Sequence, residues 1–554
     1  MFRRESRDAS SRLTLLLFVV AFAFLMLALE RDIGLYDEGI IVVGAMRVSN
    51  GEIPHRDFYA NYAPANFYVL AGLFKLFSPS ILTERLWDTF VRALIATFVF
   101  LIVEKWGALR EAFFAYGASL VWLGFFAFYG YPIFPAFLFT LISSFFLYHL
   151  FQGSPRALLL LAGGASVGLI TLFRYEVGFA IFVTESSVVA AYMLAQWNRP
   201  KTQDTLVALV RILVPYSLGV AAVFLPVAGG YLTYAPLRDF VFDLISYPSQ
   251  NYVKMRSLPF PTWHDLANSP ETIAIYLPFG VWAAVSVILF REKEVRRTEP
   301  GHKEPPGTRW MVILFGALSI VFYLKGLVRI GIAQVGPSII LALALLAVVA
   351  KYRSHSSGMT RAIVWLCIFI AIVPTWSAAH IVLGRIHRNI DELIRSGMWR
   401  VPANDESAIA GSCQTPIGLE RIACFRLDKN RIEAIQFLQQ HTRNDEVIFS
   451  GLTRHDKIFI NDNMLYFVAK RQPVTKWHHF DPGLQTTAAI QNEMVSEFES
   501  KKPQFVVLES RWDDWEEPNA SALSSGVTIL DDYIRLHYES VRQYGTISVL
   551  ARRE

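Results

Sequence analysis

Cysteine and charged residues are both scarce in this sequence of 554 residues. Three cysteines are too few for a disulfide-dense secreted scaffold. Asp, Glu, Lys and Arg make up 18% of the chain, against about 25% in an average soluble domain, while 53% of the residues are hydrophobic. This balance argues against an ordinary soluble enzyme and against intrinsic disorder. The 52 basic and 47 acidic residues leave a net charge of +5, which by itself indicates no nucleic-acid partner.

Three well-known motifs are also absent. No G-x-x-x-x-G-K-[ST] occurs, which argues against an ATP-driven pump subunit, and no H-E-x-x-H occurs, which excludes the usual membrane zinc protease. The aspartates include no D-x-D pair, the spacing with which many soluble sugar transferases hold a metal against a nucleotide diphosphate. If this protein moves a sugar, its donor is therefore expected to carry its own leaving group within the membrane.

Long apolar runs, by contrast, are frequent in the first two thirds of the chain. A helix needs about 17 to 25 mostly apolar residues to cross a bilayer. Eleven runs approach this length: 13–29, 82–103, 112–128, 133–151, 157–173, 177–196, 206–231, 272–290, 310–324, 332–350 and 362–382. A cleaved signal peptide is the alternative for the first run, but no A-x-A-like site follows it. The sequence therefore predicts an all-α polytopic membrane domain over residues 1–382.

Basic residues indicate which side of the membrane each loop faces. Lys and Arg cluster at the N-terminus and in short loops that alternate along the predicted spans, and such clusters typically lie in the cytoplasm. With the N-terminus cytoplasmic, the chain after residue 382 lies on the outer face, periplasmic or extracellular. Two larger loops, 30–81 and 232–271, share that face. The predicted location is the cytoplasmic (inner) membrane.

After residue 382 the composition becomes that of a soluble protein. We expect a linker over 383–427 and a small extracytoplasmic α/β domain over 428–554. Asp428 is placed to cap a helix at the start of that domain. Three short β-rich runs are predicted to be buried strands: 447–450, 505–509 and 547–550.

The tail also carries conspicuous polar groups and two cysteines. The polar groups are His478, His479, Asp513, Asp514, Glu516 and Glu517. The histidine pair and the acidic run are each more typical of a solvated surface than of a metal, cation or sugar site. A charge run usually lies in solvent, and no further His or Cys has ligand spacing to the histidine pair. Cys413 and Cys424 lie where an oxidising compartment would permit a disulfide. We expect these two to pair, with free thiols as the alternative.

The first outer loop contains two adjacent carboxylates, Asp37 and Glu38, soon after the first span. A G-x-x-P-x-x-D-F element, which includes Asp57, follows them. An aromatic stretch then ends in L-F-K-L-F, and Arg85 stands at the entry to the second span. Such a stretch is suited to lie in the membrane interface. Taken alone, the acidic pair could simply be two hydrated carboxylates that cap an interfacial helix.

These elements together resemble the GT-C superfamily of integral-membrane glycosyltransferases, closest in layout to the lipid A aminoarabinose transferases and the protein O-mannosyltransferases. The resemblance implies transfer of a sugar from a polyprenyl-phosphate donor to a lipid, glycan or protein acceptor on the outer face, with inversion. Asp37 matches the family's catalytic acid and would be the general base. Glu38 would orient the acceptor or position a cation. The chain departs from the family at Ala63-Pro64-Ala65, where members often have Pro-Pro.

A polyprenyl-phosphate leaving group needs positive charge near it, because negative charge grows on its bridging oxygen. Three basic residues lie at span ends on the predicted outer side: Arg174, Lys325 and Arg329. The alternative for each is a snorkelling side chain. Arg329 and Pro337 also fit a family element written R-x-D-x-x-H-x-x-P, although Gly331 and Gln334 replace its acid and its histidine.

Side chains that suit a sugar or an acceptor occur in both outer loops: Asp57, Tyr62, Tyr247, Asn251 and Tyr252. Asp57 is also a second acidic candidate behind Asp37, and an interfacial lid is the alternative for residues 231–270. No resident cofactor is predicted, and the need for a divalent cation stays open. Two other functions compete with a transferase. One is a transporter or flippase of a lipid-linked glycan, which needs no base, and the other is a non-catalytic membrane scaffold.

Overall fold

The computed structural model describes residues 2–106, 109–153, 156–196, 202–298, 307–349, 358–396 and 418–554. The first part of the chain is helical. Its helices are α1 Phe2–Leu27, α2 Asp37–Ser49, α3 Ala65–Phe77, α4 Ile81–Trp106, α5 Leu109–Phe125, α6 Ile133–Phe151, α7 Ala157–Phe173, α8 Tyr175–Gln196, α9 Thr202–Leu232, α10 Leu237–Val241, α11 Val253–Arg256, α12 Trp263–Asn268, α13 Leu277–Thr298, α14 Thr308–Gly326, α15 Gly336–Val349 and α16 Gly358–Ser396.

Each of the eleven predicted spans coincides with a helix. Within the described residues, seven helical segments are long and apolar enough to cross a membrane: Ile81–Lys105, Ile133–Phe151, Tyr175–Ala195, Val207–Leu232, Pro270–Leu289, Thr308–Gly326 and Arg361–Ile394. Shorter apolar helices include Ser11–Leu27, Ala157–Phe173 and Gly336–Val349. Large apolar side chains such as Phe179, Leu225 and Phe369 point outward. A bilayer accommodates such faces because the helices satisfy their own backbone hydrogen bonds, so the predicted multi-pass membrane fold is confirmed.

Small residues bring α7 and α9 into close contact. A Cβ built on Gly164 would lie 1.8 Å from the carbonyl oxygen of Tyr216, and one built on Gly219 would lie 2.2 Å from that of Leu161. Neither position has room for a side chain. Glycines at such positions let two membrane helices approach at backbone distance, where dispersion contacts replace the hydrophobic effect as the source of association.

The C-terminal part forms a five-stranded sheet in the order β2-β1-β3-β5-β4. Its strands are β1 Val447–Leu452, β2 Gln472–Pro473, β3 Phe505–Glu509, β4 Tyr538–Tyr544 and β5 Ile547–Arg552. β1 pairs in parallel with β2 and β3, whereas β5 runs antiparallel to β3 and β4. Its helices are α17 Lys429–His441, α18 Met464–Ala469, α19 Ala488–Lys501 and α20 Ile529–His537. The predicted α/β domain is thus confirmed, including the three strands and the Asp428 cap, whose side chain accepts from the Arg431 N–H at 3.0 Å.

This sheet domain packs directly on the helical part through α2 and α18. The amides of Asn463 and Met464 both donate to the carbonyl of Leu35 at 3.1 Å. At Gly39 of α2, a Cβ would lie 2.7 Å from the Met464 nitrogen, so the two helices touch backbone to backbone. The start of α2, where Asp37 lies, is therefore fixed from both parts of the chain.

The segment predicted as a linker, 383–427, begins inside α16, which continues to Ser396. Residues 397–417 lie outside the described part of the chain, and Cys413 is among them. The expected pairing of Cys413 with Cys424 therefore stays a prediction. Cys367, within the span Arg361–Ile394, is a free and buried thiol.

Candidate active site

Asp37 is the first residue of α2, where the positive end of the helix dipole favours a negative charge. Its side chain lines a cavity and is exposed to it. Burial raises the pKa of Asp37, the positive charges of Arg256 and Arg329 oppose that rise, and Asp481 adds to it. The net result is a carboxylate with a raised pKa, which is what a general base working near neutral pH requires.

Glu38 points away from the cavity, although it adjoins Asp37 in sequence. Its side chain is completely buried, and its two oxygens accept from Arg85 Nε at 2.7 Å and Arg85 Nη2 at 2.9 Å. The Gly34 amide donates a third hydrogen bond at 2.7 Å, and Arg85 also donates to the carbonyl of Asp32 at 2.8 Å. The structure thus places Glu38 in the support of the loop before α2 rather than beside an acceptor.

The cavity has a volume of about 450 Å³, within the usual range of roughly 300–1,000 Å³ for small-molecule sites. It is lined by the start of α2, by loops between the spans and by the sheet domain. Its aromatic and charged lining comprises Tyr36, Asp37, Tyr59, Tyr62, Tyr129, Tyr131, Arg174, Tyr175, Glu176, Tyr247, Tyr252, Arg256, Lys325, Arg329, Phe459 and Asp481. Seven residues proposed from sequence meet here: Asp37, Tyr62, Arg174, Tyr247, Tyr252, Lys325 and Arg329.

The three predicted phosphate-binding cations differ in their surroundings. Arg174 is paired with Glu176, with Nε 2.7 Å from Oε1, and its guanidinium lies 5.6 Å from the ring centre of Tyr62. Lys325 donates to the hydroxyl of Tyr131. Arg329 makes a bidentate pair with Glu517 of the sheet domain. All three line the cavity, and two of them are paired with carboxylates, so an anion bound there could contact these cations but would compete with Glu176 and Glu517.

A network at the cavity wall was not predicted from the sequence. Arg256 Nη2 donates to the Tyr36 hydroxyl at 2.9 Å and to Asp481 Oδ1 at 3.0 Å. The Tyr59 hydroxyl donates to Asp481 Oδ2 at 2.9 Å. The reasoning that selected Arg174, a basic residue on the predicted outer side, applies equally to Arg256. No local pattern marks Asp481, which comes from the sheet domain.

Two residues predicted to contact a sugar or an acceptor lie outside the cavity lining. Asp57 accepts from the neighbouring Arg56 side chain at 2.7 Å and 2.9 Å and from the Ile53 amide at 2.8 Å. Its carboxylate therefore shapes the turn in which it lies. Asn251 is half-buried and donates to the Tyr247 carbonyl at 3.4 Å. Neither side chain is among those that face Asp37 across the cavity.

The expectation that His478 and His479 lie on the surface is wrong, since both are buried. His478 Nδ1 lies 3.0 Å from an Arg47 nitrogen, and His479 Nε2 lies 3.1 Å from the Tyr36 hydroxyl. Burial lowers the pKa of His479 to about 4, and the ring is therefore neutral at pH 7. The acidic run was expected to be solvated as well, but Glu517 is buried against Arg329. Both errors arise because packing against the membrane part covers these segments.

Within the described residues, no group of three or more His, Cys, Asp or Glu side chains is arranged to hold a metal ion. Asp37 and Asp481 both line the cavity, but Asp481 already accepts from Arg256 and Tyr59. The polar groups of the site therefore form a network of hydrogen bonds and ion pairs.

The sequence matches no protein-family profile and no curated protein. Solved structures of similar fold are found over nearly the whole chain. ArnT from Cupriavidus metallidurans bound to undecaprenyl phosphate is 14% identical, with 97% of each chain covered and a TM-score of 0.51. The apo state of the same protein gives 13% identity, 98% coverage of each chain and a TM-score of 0.54.

An archaeal oligosaccharyltransferase has a similar fold as well. AglB from Archaeoglobus fulgidus, in complex with an inhibitory peptide and a dolichol-phosphate, is 11% identical, with 98% of this chain and 75% of that chain covered and a TM-score of 0.52. At sequence identities this low, the structural likeness shows the fold alone. The chain has the GT-C fold, as its first outer loop predicts.

Proposed function

We propose that this protein is a membrane glycosyltransferase that moves a sugar from a polyprenyl-phosphate donor to an acceptor hydroxyl, with inversion and with Asp37 as the general base. One observation carries the proposal. Asp37, a carboxylate with a raised pKa, shares a cavity of about 450 Å³ with Arg174, Lys325 and Arg329. This arrangement supports the proposal, because sugar transfer from a lipid phosphate requires a base and positive charge for the leaving phosphate close together.

In the proposed reaction, an acceptor hydroxyl attacks the anomeric carbon from the face opposite the phosphate. Its proton passes to an Asp37 carboxylate oxygen as the new carbon–oxygen bond forms. The bond from the anomeric carbon to the phosphate oxygen breaks, and its electron pair stays on the departing polyprenyl phosphate. A positioned base contributes about 10²- to 10⁴-fold in rate. The nearby guanidinium and ammonium groups stabilise the charge that develops on the leaving oxygen.

The lining also supports a sugar as the group transferred. Tyr62 and Tyr252 line the cavity with aromatic rings and hydroxyls, which suit the apolar face and the polar edge of a sugar, while Tyr247 also lines it but donates its hydroxyl hydrogen to the Pro482 carbonyl at 2.8 Å. The donor class is supported by two proteins of similar fold, ArnT bound to undecaprenyl phosphate and AglB in complex with a dolichol-phosphate. We place the site on the outer face of the cytoplasmic membrane, because basic loops alternate with the loops that form it. A lipid, a glycan or a protein could supply the hydroxyl.

The test is sugar transfer by the full chain in lipid nanodiscs, with radiolabelled polyprenyl-phosphate sugars and nucleotide sugars as alternative donors. Native protein is compared with Asp37→Asn and with the control Asp239→Asn, a half-buried carboxylate of α10 that does not line the cavity. We expect label to leave only the lipid donor, and Asp37→Asn to abolish this release while Asp239→Asn preserves it.

Binding of the lipid donor without its consumption, unaffected by Asp37→Asn, would refute the transferase and favour a flippase. A parallel reaction with a chelator reports whether a divalent cation participates.

A further inference from the structure

Arg329 and Arg256 are two basic residues of the cavity wall that pair with carboxylates of the sheet domain, Arg329 with Glu517 and Arg256 with Asp481. Arg329 Nη1 lies 2.8 Å from Glu517 Oε2, and Arg329 Nη2 lies 2.6 Å from Glu517 Oε1. The side chain of Glu517 is 8% exposed and that of Arg329 is 25% exposed. The pair is therefore a partly buried, bidentate contact, which is stronger than a typical surface ion pair.

The segment around Glu517 is held firmly beside the cavity. Asn519 Nδ2 donates to Glu517 Oε2 at 3.1 Å and to the Ser257 carbonyl at 3.0 Å. The Trp515 ring stacks on Phe459, with 5.6 Å between ring centres, and Phe459 lines the cavity. The carboxylate is thus presented to Arg329 by a fixed segment rather than by a mobile tail.

Glu517 accepts from Nη1 and Nη2 of Arg329, so a phosphate that bound across these two nitrogens would have to displace the carboxylate. Binding of a phosphate at this end of the guanidinium is consequently an exchange of one anion for another. Burial raises the pKa of Glu517, but hydrogen bonds from Arg329 and Asn519 more than offset this and lower it, so the competitor is charged at neutral pH.

We propose that Glu517 is a resident competitor for the phosphate site: the Arg329 side chain must leave Glu517 to hold a lipid phosphate, and it pairs with Glu517 again when the product departs. This inference rests on the proposed function. The departing polyprenyl phosphate has one more ionisable oxygen than the donor, so it binds cations more tightly, and a carboxylate fixed beside Arg329 limits that product inhibition. Glu517 touches the cation and not the reacting atoms, and it is therefore a positioning residue.

The experiment compares native protein, Glu517→Gln and Glu516→Gln in nanodiscs, with the Kd for polyprenyl phosphate as the first readout. Glu516 is the matched control, because it is the adjacent glutamate, its side chain is 62% exposed and it pairs with Lys457 at 2.7 Å. We expect Glu517→Gln to bind polyprenyl phosphate about tenfold more tightly, since a partly buried charge-assisted pair no longer competes. Glu516→Gln should match the native Kd.

Two further arms test whether the gain arises at Arg329. Inorganic phosphate, as a free anion, should gain in the same proportion, and a gain restricted to the lipid would overturn the exchange. In an Arg329→Gln background, Glu517→Gln should bring no gain. In turnover, Glu517→Gln should lower KM and kcat together and strengthen inhibition by added polyprenyl phosphate, because product release becomes slower.

A Kd for Glu517→Gln equal to or weaker than the native value would overturn the proposal and leave Glu517 as an anchor that orients Arg329. The failure of the proposed function looks different. In that case no sugar is transferred by any variant, whereas the tighter binding of phosphate by Glu517→Gln persists. If none of the variants binds polyprenyl phosphate or inorganic phosphate, both proposals are refuted.

Discussion

Replacing Glu38 by glutamine should destabilise the protein more than the same change at a solvent-exposed glutamate. Glu38 and Arg85 have side chains that are 0% and 1% exposed, and two hydrogen bonds of 2.7 Å and 2.9 Å join them. Gln is nearly isosteric with Glu but has no charge. The substitution therefore leaves the Arg85 guanidinium buried opposite a neutral amide, whose NH₂ group cannot accept its hydrogen bonds.

The expected cost follows from that geometry. Breaking a buried ion pair by removing one partner typically costs about 3–5 kcal/mol, because the remaining charge is uncompensated. Here Glu84 Oε2 lies 4.0 Å from Arg85 Nε, and the carbonyl of Asp32 accepts from Arg85 as well. These groups retain part of the stabilisation, so we expect the lower end, about 3 kcal/mol.

The measurement is unfolding in mixed micelles with a rising fraction of denaturing detergent, followed by tryptophan fluorescence. Glu52→Gln is the control, because Glu52 pairs with Arg47 at 2.6 Å but keeps 28% of its side chain exposed. Its loss should cost about 1 kcal/mol or less. The double variant Glu38→Gln with Arg85→Met should regain stability relative to the sum of the single changes, since it removes the stranded charge.

A Glu38→Gln protein no less stable than Glu52→Gln would refute this reasoning and return Glu38 to a direct role at the site. Stability and activity can be separated in the same preparations. Asp37 starts the helix that Glu38 helps to anchor, so we expect kcat to fall in the fraction of Glu38→Gln that remains folded.

Three other changes have outcomes that the contacts dictate. Burial raises the pKa of Asp37, so on acidification kcat/KM should fall at a pH above the pKa of an ordinary aspartate. Arg256→Gln removes a positive charge that lowers the pKa of Asp37, and it should therefore move the acidic limb of the pH profile to higher pH. A shift to lower pH would contradict the assignment of Asp37 as the base. Arg431→Met leaves three paired carboxylates without their cation and should cost about 3–5 kcal/mol in detergent unfolding, and an unchanged midpoint would contradict the buried cluster. Gly164→Ala should separate α7 from α9 and lower the midpoint of thermal unfolding by an amount that corresponds to more than about 1 kcal/mol. The control is Gly117→Ala, where a Cβ meets nothing within 4 Å and the midpoint should stay unchanged. Equal effects of the two changes would count against the close contact of α7 with α9.

Much of the fold could be predicted because a bilayer imposes long apolar runs on the sequence. Every predicted span corresponds to a helix, and Asp37 was found because an acidic pair so close to a span is unusual. The GT-C resemblance depended on the same loop. Strands β1, β3 and β5 were evident as buried apolar runs, while β2 has two residues and β4 is largely exposed, so neither has a periodicity to read.

The rest of the site depends on contacts between distant segments. Asp481 reaches the cavity only because α18 packs on α2, and no residue near it in sequence indicates this. The same packing buries His478 and His479 in a segment that looks hydrophilic. The resemblance implied that Glu38 orients the acceptor or positions a cation, but successive residues at a helix start point in different directions. One of them faces the cavity, and the other faces Arg85.

The cavity is lined by segments that lie far apart in the chain, and this affects how the site is assembled during synthesis. Asp37 and Asp481 are 444 positions apart in the chain, and at about 5–20 residues per second a ribosome needs roughly 20–90 s to travel between them. During that interval the nascent chain has Asp37 but lacks the part of the cavity wall that the sheet domain provides. A polypeptide that stalls or is truncated in its last fifth therefore lacks part of its own reaction chamber. Completion of translation is in this way a condition for assembling the cavity.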